Sequence, residues 1–290
     1  MICGPFLGEP GFETLYWIPF LRTFAYPLLS EGCDVTVISR GGVEHLYADL
    51  LTRGATYLDV LDVFAHQDFI SLERERLRNP RAKNQKQAGL FETKILNEAG
   101  YSGARPLLPA HMFTLLARYS AASICDWRNW PDSSEGDREE LTLIKLWFGG
   151  QLPALNRNIH RLEGWIEHFA RQGPVAAIIN DYSLEVNPGV DEPFADIVAR
   201  LELPTVTTQS YRTNLGDQIE MLSRSTRFVA TYGGLAYLSV YTRTPLVSFY
   251  TEPKIVFSQH YLNFATAVAH QNVKTKTGEL SVSLIDLEST

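Results

Sequence analysis

The stretch Phe228-Val229-Ala230-Thr231-Tyr232-Gly233-Gly234-Leu235 holds the pattern that decides the fold. Its apolar start predicts a buried strand and its glycine pair a turn, before a helix at Leu235–Tyr241 and a second strand at Pro245–Tyr250. Glycines after a strand let a ligand approach the backbone closely, and open parallel sheets bind ligands at that edge. We therefore expect the Tyr232-Gly233-Gly234 turn to bind a ligand. The alternative is that its glycines serve only the close packing of helix and strand.

Strand and helix patterns alternate on the N-terminal side of this stretch as well, which predicts parallel sheets. A helix with an apolar stripe is expected to end at Gly173-Pro174, and we place a domain boundary there. The sequence thus predicts an α/β fold of two Rossmann-like lobes, residues 1–172 and residues 173–290, facing a shared cleft. The further predicted strands are Met1–Phe6, Asp34–Ser39, Thr56–Leu61, Val175–Ile179 and Thr205–Thr208.

Composition excludes several classes of protein. The chain has 290 residues, of which 45% are hydrophobic, and its net charge of −7 argues against nonspecific binding to nucleic acid. Neither an integral membrane segment nor a secretory signal is expected, because no apolar stretch is long enough and no basic segment opens the chain. Cys3, Cys33 and Cys125 have no metal-ligand spacing, which favours reduced thiols in a cytoplasmic protein.

Several common active-site motifs are missing from the sequence. It has no G-x-G-x-x-G dinucleotide fingerprint, no P-loop lysine motif and no G-x-S-x-G nucleophile elbow. It has no H-x-x-x-H or paired-cysteine pattern for zinc and no Asp-x-Asp for a metal-bridged diphosphate. We therefore expect no metal ion and no resident cofactor.

The loop that follows the first predicted strand, Gly8-Glu9-Pro10-Gly11-Phe12-Glu13, carries two candidate general bases. Glu9 and Glu13 would lie at the edge of the sheet, where a carboxylate can deprotonate a hydroxyl nucleophile. The alternative for Glu13 is a place in the first turn of a helix, where a negative charge is favourable in any case.

Polar residues after other predicted strands are candidates for holding a nucleotide. Gln209 and Arg212 would contact a base and a phosphate, or would form a plain loop. Glu252 would accept hydrogen bonds from ribose hydroxyls and Lys254 would meet a phosphate, the alternative for both being ordinary surface charges. Arg40, before a glycine pair, would hold an acidic or phosphorylated group or lie exposed.

The chain resembles glycosyltransferases of the GT-B architecture, and in particular bacterial relatives of the heptosyltransferases and fucosyltransferases. The first stretch that carries the resemblance is GEPGFETLYWIPFLR, residues 8–22. The second runs from NLGDQI at 214–219 through FVATYGGLAYL at 228–238 to TPLVSFY at 244–250. The first is similar to the acceptor-side loop of the family and the second to its nucleotide-sugar loop.

The resemblance implies a nucleotide-sugar donor, bound mainly by the C-terminal domain, and a hydroxyl acceptor on a glycan or a lipid-linked cell-envelope precursor. It implies that the Tyr232-Gly233-Gly234 turn faces the diphosphate and Glu252 the ribose, with Glu13 or Glu9 as base of an inverting, metal-independent transfer. The chain departs from the family in being short and in ending on a predicted strand at Leu280–Leu287. An alternative is a non-catalytic protein that keeps the fold and binds a nucleotide or a glycan.

Overall fold

The computed structural model describes residues 1–8, 10–64, 68, 71, 85–127, 138–149, 152–179, 188–207, 212–251, 259–274 and 280–288. The chain forms two compact units. The first comprises Met1–Gly8, Tyr16–Asn129 and Ser210–Gly216, and the second comprises Glu9–Leu15, Trp130–Gln209 and Asp217–Thr290. The boundary predicted at Gly173 lies inside the second unit, between a helix and a strand of that unit.

The first unit is built on a three-stranded parallel sheet in the order β1-β2-β3. Its strands are β1 (Ile2–Cys3), β2 (Thr36–Ser39) and β3 (Thr56–Asp59). Strand β3 ends at Asp59, whose side chain accepts a hydrogen bond from the Leu61 N–H at 2.8 Å. This bond caps the short helix that follows the strand.

The second unit is built on a six-stranded parallel sheet in the order β6-β5-β4-β7-β8-β9. The chain runs outward from β4 through β5 to β6, returns to β7 beside β4, and then runs outward in the other direction to β9. The sheet therefore has its topological switch point between β4 and β7. The strands are β4 (Glu139–Lys145), β5 (Val175–Ile179), β6 (Thr205–Thr207), β7 (Ser225–Thr231), β8 (Leu246–Tyr250) and β9 (Val282–Asp286).

Helices connect the strands of both sheets, as parallel pairing requires. In the first unit they are Ile18–Ser30, Glu44–Tyr47, Ala48–Leu51, Val60–Val63, Gln85–Glu98, Pro109–Leu116 and Ala121–Ile124. In the second unit they are Pro10–Phe12, Asn156–Gln172, Pro188–Arg200, Gly234–Tyr237, Leu238–Thr242 and Gln259–Lys274. A π-helix, Glu13–Trp17, and the helix Asn214–Arg224 each have residues in both units.

The core of the second unit lies between its sheet and the helix Asn156–Gln172. The apolar stripe of this helix is buried in one cluster with Phe194 and with residues of β4, β7 and β8, and the Trp165 ring lies 5.8 Å from the Phe249 ring. Each fully buried large apolar side chain contributes about 1.5–3 kcal/mol relative to an exposed one. The stripe members are Leu162, Ile166 and Phe169.

The predicted fold class is confirmed, because both sheets are parallel and helices connect their strands. Strand β4 is not among the strands that the sequence predicts. Its start, Glu139-Glu140, is charged and exposed, and only from Thr142 onward is the strand buried. A strand that enters the sheet from the surface in this way does not begin with the apolar pattern of a buried strand.

Candidate functional site

The candidate site lies at the carboxyl edge of the six-stranded sheet, at the adjacent strands β4 and β7. From these two strands the order of the sheet runs outward in opposite directions. In open α/β sheets, ligands bind outside the carboxyl ends of the strands at such a switch point. The segment that follows β4 remains joined to the end of β7, because the Trp147 N–H donates to the Thr231 hydroxyl at 2.9 Å. The Tyr232-Gly233-Gly234 turn follows Thr231 directly.

Gly233 and Gly234 form the part of this turn that a ligand would meet. Gly233 has φ 148° and ψ −154°, a region that essentially only glycine occupies without strain. The Tyr232 N–H donates to the Phe249 carbonyl at 2.9 Å, and the buried Tyr232 ring lies 5.8 Å from the Tyr237 ring. The tyrosine side chain is thus part of the core, and it is the backbone of the glycines that lies at the edge.

Gly11 lies directly against this turn, within the second unit. A Cβ on Gly11 would fall 1.3 Å from the carbonyl oxygen of Gly234 and 2.8 Å from its Cα. The short helix Pro10–Phe12 therefore packs backbone to backbone on the 3-10 helix Gly234–Tyr237, and any side chain at position 11 would force them apart. The two stretches that carry the sequence resemblance meet at this contact.

Glu13, one of the two predicted bases, begins the π-helix Glu13–Trp17 and is completely buried. π-helices are rare and frequently lie at functional sites. The Thr14 hydroxyl hydrogen-bonds to the carbonyl oxygens of Gly11 at 3.0 Å and Pro10 at 3.2 Å. These bonds fix the backbone on both sides of Glu13, so its carboxylate is attached to a segment of defined position.

Aromatic side chains pack the Glu13 segment onto the rest of the second unit. The Phe12 ring lies 5.8 Å from the Tyr237 ring and 5.3 Å from the His260 ring, and Tyr237 lies 5.1 Å from Phe264. Burial lowers the pKa of His260, which favours its neutral, uncharged imidazole beside Phe12. The segment is therefore held both by the glycine turn and by the helix Gln259–Lys274.

For five of the predicted site residues, the structure does not test the predicted position. Glu9, Gln209, Glu252 and Lys254 lie outside the described residues. Arg212 belongs to the first unit, where it forms an exposed ion pair with Asp62. Those that the structure does bring together in the second unit are Glu13, Tyr232, Gly233 and Gly234.

Arg40 and the two glycines after it form a separate turn in the first unit. Arg40 donates a hydrogen bond to the Gly8 carbonyl oxygen. The Asp59 carboxylate accepts from the N–H groups of Gly42 at 2.8 Å and Gly41 at 3.2 Å, in addition to that of Leu61. Burial raises the pKa of Asp59, and these backbone N–H groups oppose the rise. The turn is thus fixed by Asp59.

Lys145 is a basic residue that the structure places at the candidate edge and that the sequence does not single out. Lys145 is the last residue of β4 and is buried, 6% of it being exposed. The signal that would have found it is the largely apolar run Leu141–Phe148, in which Lys145 is the one charged residue. Once that run is assigned to a strand, its polar end marks the ligand-binding edge.

The chain is similar to solved structures of heptosyltransferases, which are GT-B glycosyltransferases. It is 14% identical to a glycosyl transferase family 9 protein from Veillonella parvula, with TM-score 0.46, over 85% of this chain and 80% of that one. It is 13% identical to ADP-heptose lps heptosyltransferase II of E. coli, with TM-score 0.45, over 98% and 89%. It is 11% identical to E. coli heptosyltransferase WaaC with ADP, with TM-score 0.44, over 86% of each chain.

These neighbours are of the kind that the sequence resemblance names. No family model matches the sequence, and no curated protein matches it. Among the helices that the structure describes, none is long and apolar enough to cross a membrane.

Proposed function

We propose that this protein is a glycosyltransferase that moves a sugar from a nucleotide-sugar donor to a hydroxyl acceptor. The observation that carries the proposal is the contact of Gly11 with Gly234, at the switch point of the six-stranded sheet. This contact joins a segment that bears a buried carboxylate, Glu13, to a turn whose backbone a ligand can approach closely. Sugar transfer needs both parts: a base for the acceptor and a place for the phosphates of the donor.

In the proposed reaction, the acceptor oxygen bonds to the anomeric carbon of the sugar, and the bond from that carbon to the diphosphate oxygen breaks. The nucleoside diphosphate leaves with the electron pair, and the hydroxyl proton passes to the Glu13 carboxylate. One displacement of this kind inverts the anomeric centre, and it uses no metal ion. The backbone of Gly233 and Gly234 faces the diphosphate.

The acceptor in this proposal is a hydroxyl of a glycan or of a lipid-linked cell-envelope precursor. Glu9 is the second candidate for the base. The roles predicted for Gln209, Arg212, Glu252 and Lys254 in holding the nucleotide stay predictions.

A non-catalytic nucleotide- or glycan-binding protein is the second candidate function, and the complete burial of Glu13 favours it. A general base must come within hydrogen-bond distance of the acceptor hydroxyl, whereas a binding protein needs only the glycine turn. Transfer therefore requires the segment that carries Glu13 to move when the substrates bind, as loops of many enzymes do.

Thermal unfolding in the presence of nucleotide sugars and free nucleoside diphosphates tests binding, because a ligand of the folded state raises the unfolding temperature. The donor with the largest effect is then incubated with hydroxyl acceptors, and the release of nucleoside diphosphate is measured. Release that depends on both protein and acceptor supports the transferase, and binding without release supports the second candidate. A panel without any effect on unfolding would exclude the transferase and a nucleotide-binding protein, and would leave a glycan as the ligand of the second candidate.

A further inference from the structure

The first unit presents a group of large apolar side chains to solvent, which we call the apolar face. Its rings are the most exposed part: Phe24 and Phe113 are each 39% exposed and Tyr119 is 57% exposed. Single exposed apolar side chains are ordinary, whereas a group of them indicates a binding surface. The exposed and half-exposed members of the apolar face are Phe24, Phe113, Leu115, Leu116, Tyr119 and Ile124.

The helices that carry the apolar face pack on one another. The short helix Ala121–Ile124 contacts the helix that carries Phe24 and the helix that carries Phe113. The Thr23 hydroxyl, one residue before Phe24, donates to the Ile124 carbonyl oxygen at 3.2 Å. The apolar face is thus carried by one packed group of helices within the first unit.

The segments that form the apolar face carry positive charge and no negative charge. Residues 101–125 include Arg105 and Arg118, which are both exposed, and contain neither aspartate nor glutamate, although the whole chain has a net charge of −7. Residues 23–30 contain no charged side chain. Because salt screens charges beyond about 8–10 Å, a charged partner that docks here interacts with the two arginines more than with distant acidic residues.

A membrane surface with anionic headgroups is the partner that fits this composition. Aromatic side chains favour the boundary between headgroups and acyl chains, and arginines beside them attract anionic lipids. A second copy of the chain fits less well. In a twofold dimer the same surface meets itself, which would bring the arginines of both copies together without an acidic side chain of these segments to pair with them.

We infer that the apolar face binds the surface of an anionic lipid membrane. The contact is peripheral and reversible: Phe113 and Tyr119 enter the headgroup layer, and Arg105 and Arg118 lie against lipid phosphates. The inference does not depend on the proposed function, because it concerns the first unit alone. Where that function holds, membrane binding favours a lipid-linked precursor over a free glycan as the acceptor.

The test is sedimentation with vesicles of phosphatidylcholine, either alone or mixed with an equal part of phosphatidylglycerol. We expect the wild type to sediment with the mixed vesicles and to be released by added salt, because salt screens the arginines. Phe113→Gln is expected to weaken this partitioning about tenfold, since apolar burial is lost. Arg118→Gln is expected to weaken it about fivefold, since one cation near the lipid surface is lost.

The matched controls lie in the second unit. Leu262→Gln makes an apolar side chain polar at a position that is 53% exposed, and Arg171→Gln removes a cation at an exposed position. Both should partition as the wild type does. All four substituted positions are exposed, so we expect the variants to fold, and thermal unfolding verifies this.

Hydrogen exchange of the wild type, with and without the mixed vesicles, is a second measurement that needs no substitution. Exchange that slows over residues 109–124 supports the inference, and unchanged exchange there overturns it.

The sedimentation outcomes are equally decisive. A wild type that stays in solution with both kinds of vesicle overturns the inference, and so does binding that Phe113→Gln and Arg118→Gln leave unchanged. If the wild type ignores vesicles and forms a dimer that Phe113→Gln dissociates, the inference is wrong and the apolar face is an interface between copies of the chain.

Discussion

Gly11 and Gly234 touch through their backbones, so closely that a Cβ on Gly11 would fall 1.3 Å from the Gly234 carbonyl oxygen. The contact joins two segments that are far apart in the sequence. One of them carries Glu13 and the other forms the turn at the end of β7. The distance leaves no room for any side chain, so glycine at position 11 is a geometric requirement of the candidate site.

Replacing Gly11 by alanine is expected to destabilise the fold and to depress transfer. Overpacking of this kind typically costs about 1–3 kcal/mol, because backbone rather than a flexible side chain must move. The matched control is Gly164→Ala, at an exposed position inside the helix Asn156–Gln172 where an added Cβ meets nothing within 4 Å. That change should stabilise by about 0.4–1 kcal/mol. Urea unfolding measures both, and equal midpoints for Gly11→Ala and wild type would contradict the contact.

Asp59 gives a prediction about pH. Asp59→Asn should lower the free energy of unfolding by about 1–3 kcal/mol, because a carboxylate that accepts three backbone N–H groups is replaced by an amide. Burial raises the pKa of Asp59 above its ordinary value of 3.8. The folded protein therefore holds this proton more tightly than the unfolded chain, and its stability falls as pH rises from 3.8 through the folded pKa.

Because asparagine does not titrate, the advantage of the wild type over Asp59→Asn should grow as the pH is lowered from neutral toward 3.8. Urea unfolding of both proteins at a series of pH values measures the difference. An advantage that shrinks on acidification would show that the N–H groups of Gly41, Gly42 and Leu61, and not burial, dominate the pKa.

The buried ion pair of the first unit should contribute more to stability than an exposed one. Arg22 Nε lies 2.7 Å from Asp49 Oδ2, with the two side chains 1% and 15% exposed, and the Tyr26 hydroxyl donates to the same oxygen. Asp49→Ala leaves a buried guanidinium without its carboxylate and is expected to cost about 3–5 kcal/mol.

The control for this pair is Glu288→Ala, which breaks the pair with Arg157 whose side chains are 47% and 62% exposed. Solvent and salt screen such a pair, so the expected cost is at most about 1 kcal/mol. Denaturant unfolding of both variants gives the comparison. Equal effects would mean that Asp49 is not the partner that stabilises Arg22.

Local patterns predict the strands well where burial is continuous. Strand β5 has the predicted bounds, Val175–Ile179, because each of its residues is apolar and the strand is covered on both faces. The strand predicted at Met1–Phe6 ends at Cys3, because Pro5 has no N–H to give to a neighbour. Strand β4 escapes prediction because its charged first residues lie at the surface.

The candidate site likewise has a part that the sequence predicts and a part that it does not. Glu13 follows β1, a strand of the other sheet, so sequence order alone does not place it in the second unit. The glycine turn is predictable, since it follows a strand of the six-stranded sheet and parallel strands present their ends at one edge. The contact of Gly11 with Gly234 is not, because it depends on tertiary packing between distant segments and no local periodicity encodes it. Lys145 is missed along with its strand, β4.

The last prediction concerns the base. Glu13→Gln keeps the size of the side chain but cannot accept the proton of the acceptor hydroxyl. Removing a general base typically slows a reaction about a hundredfold or more, so single-turnover transfer should fall by at least that factor. Donor affinity should be unchanged, because the glycine turn does not depend on the charge at position 13.

The matched control is Glu220→Gln, the same change at an exposed position of the helix Asn214–Arg224. It should retain the wild-type rate, and Glu9→Gln is measured beside it because Glu9 is the other predicted base. A large loss in Glu9→Gln alone would move the base to that residue. If both glutamine variants at positions 9 and 13 transfer sugar as fast as the wild type, neither glutamate is the base. The carboxylate that the Gly11 contact fixes would then serve the fold rather than the chemistry.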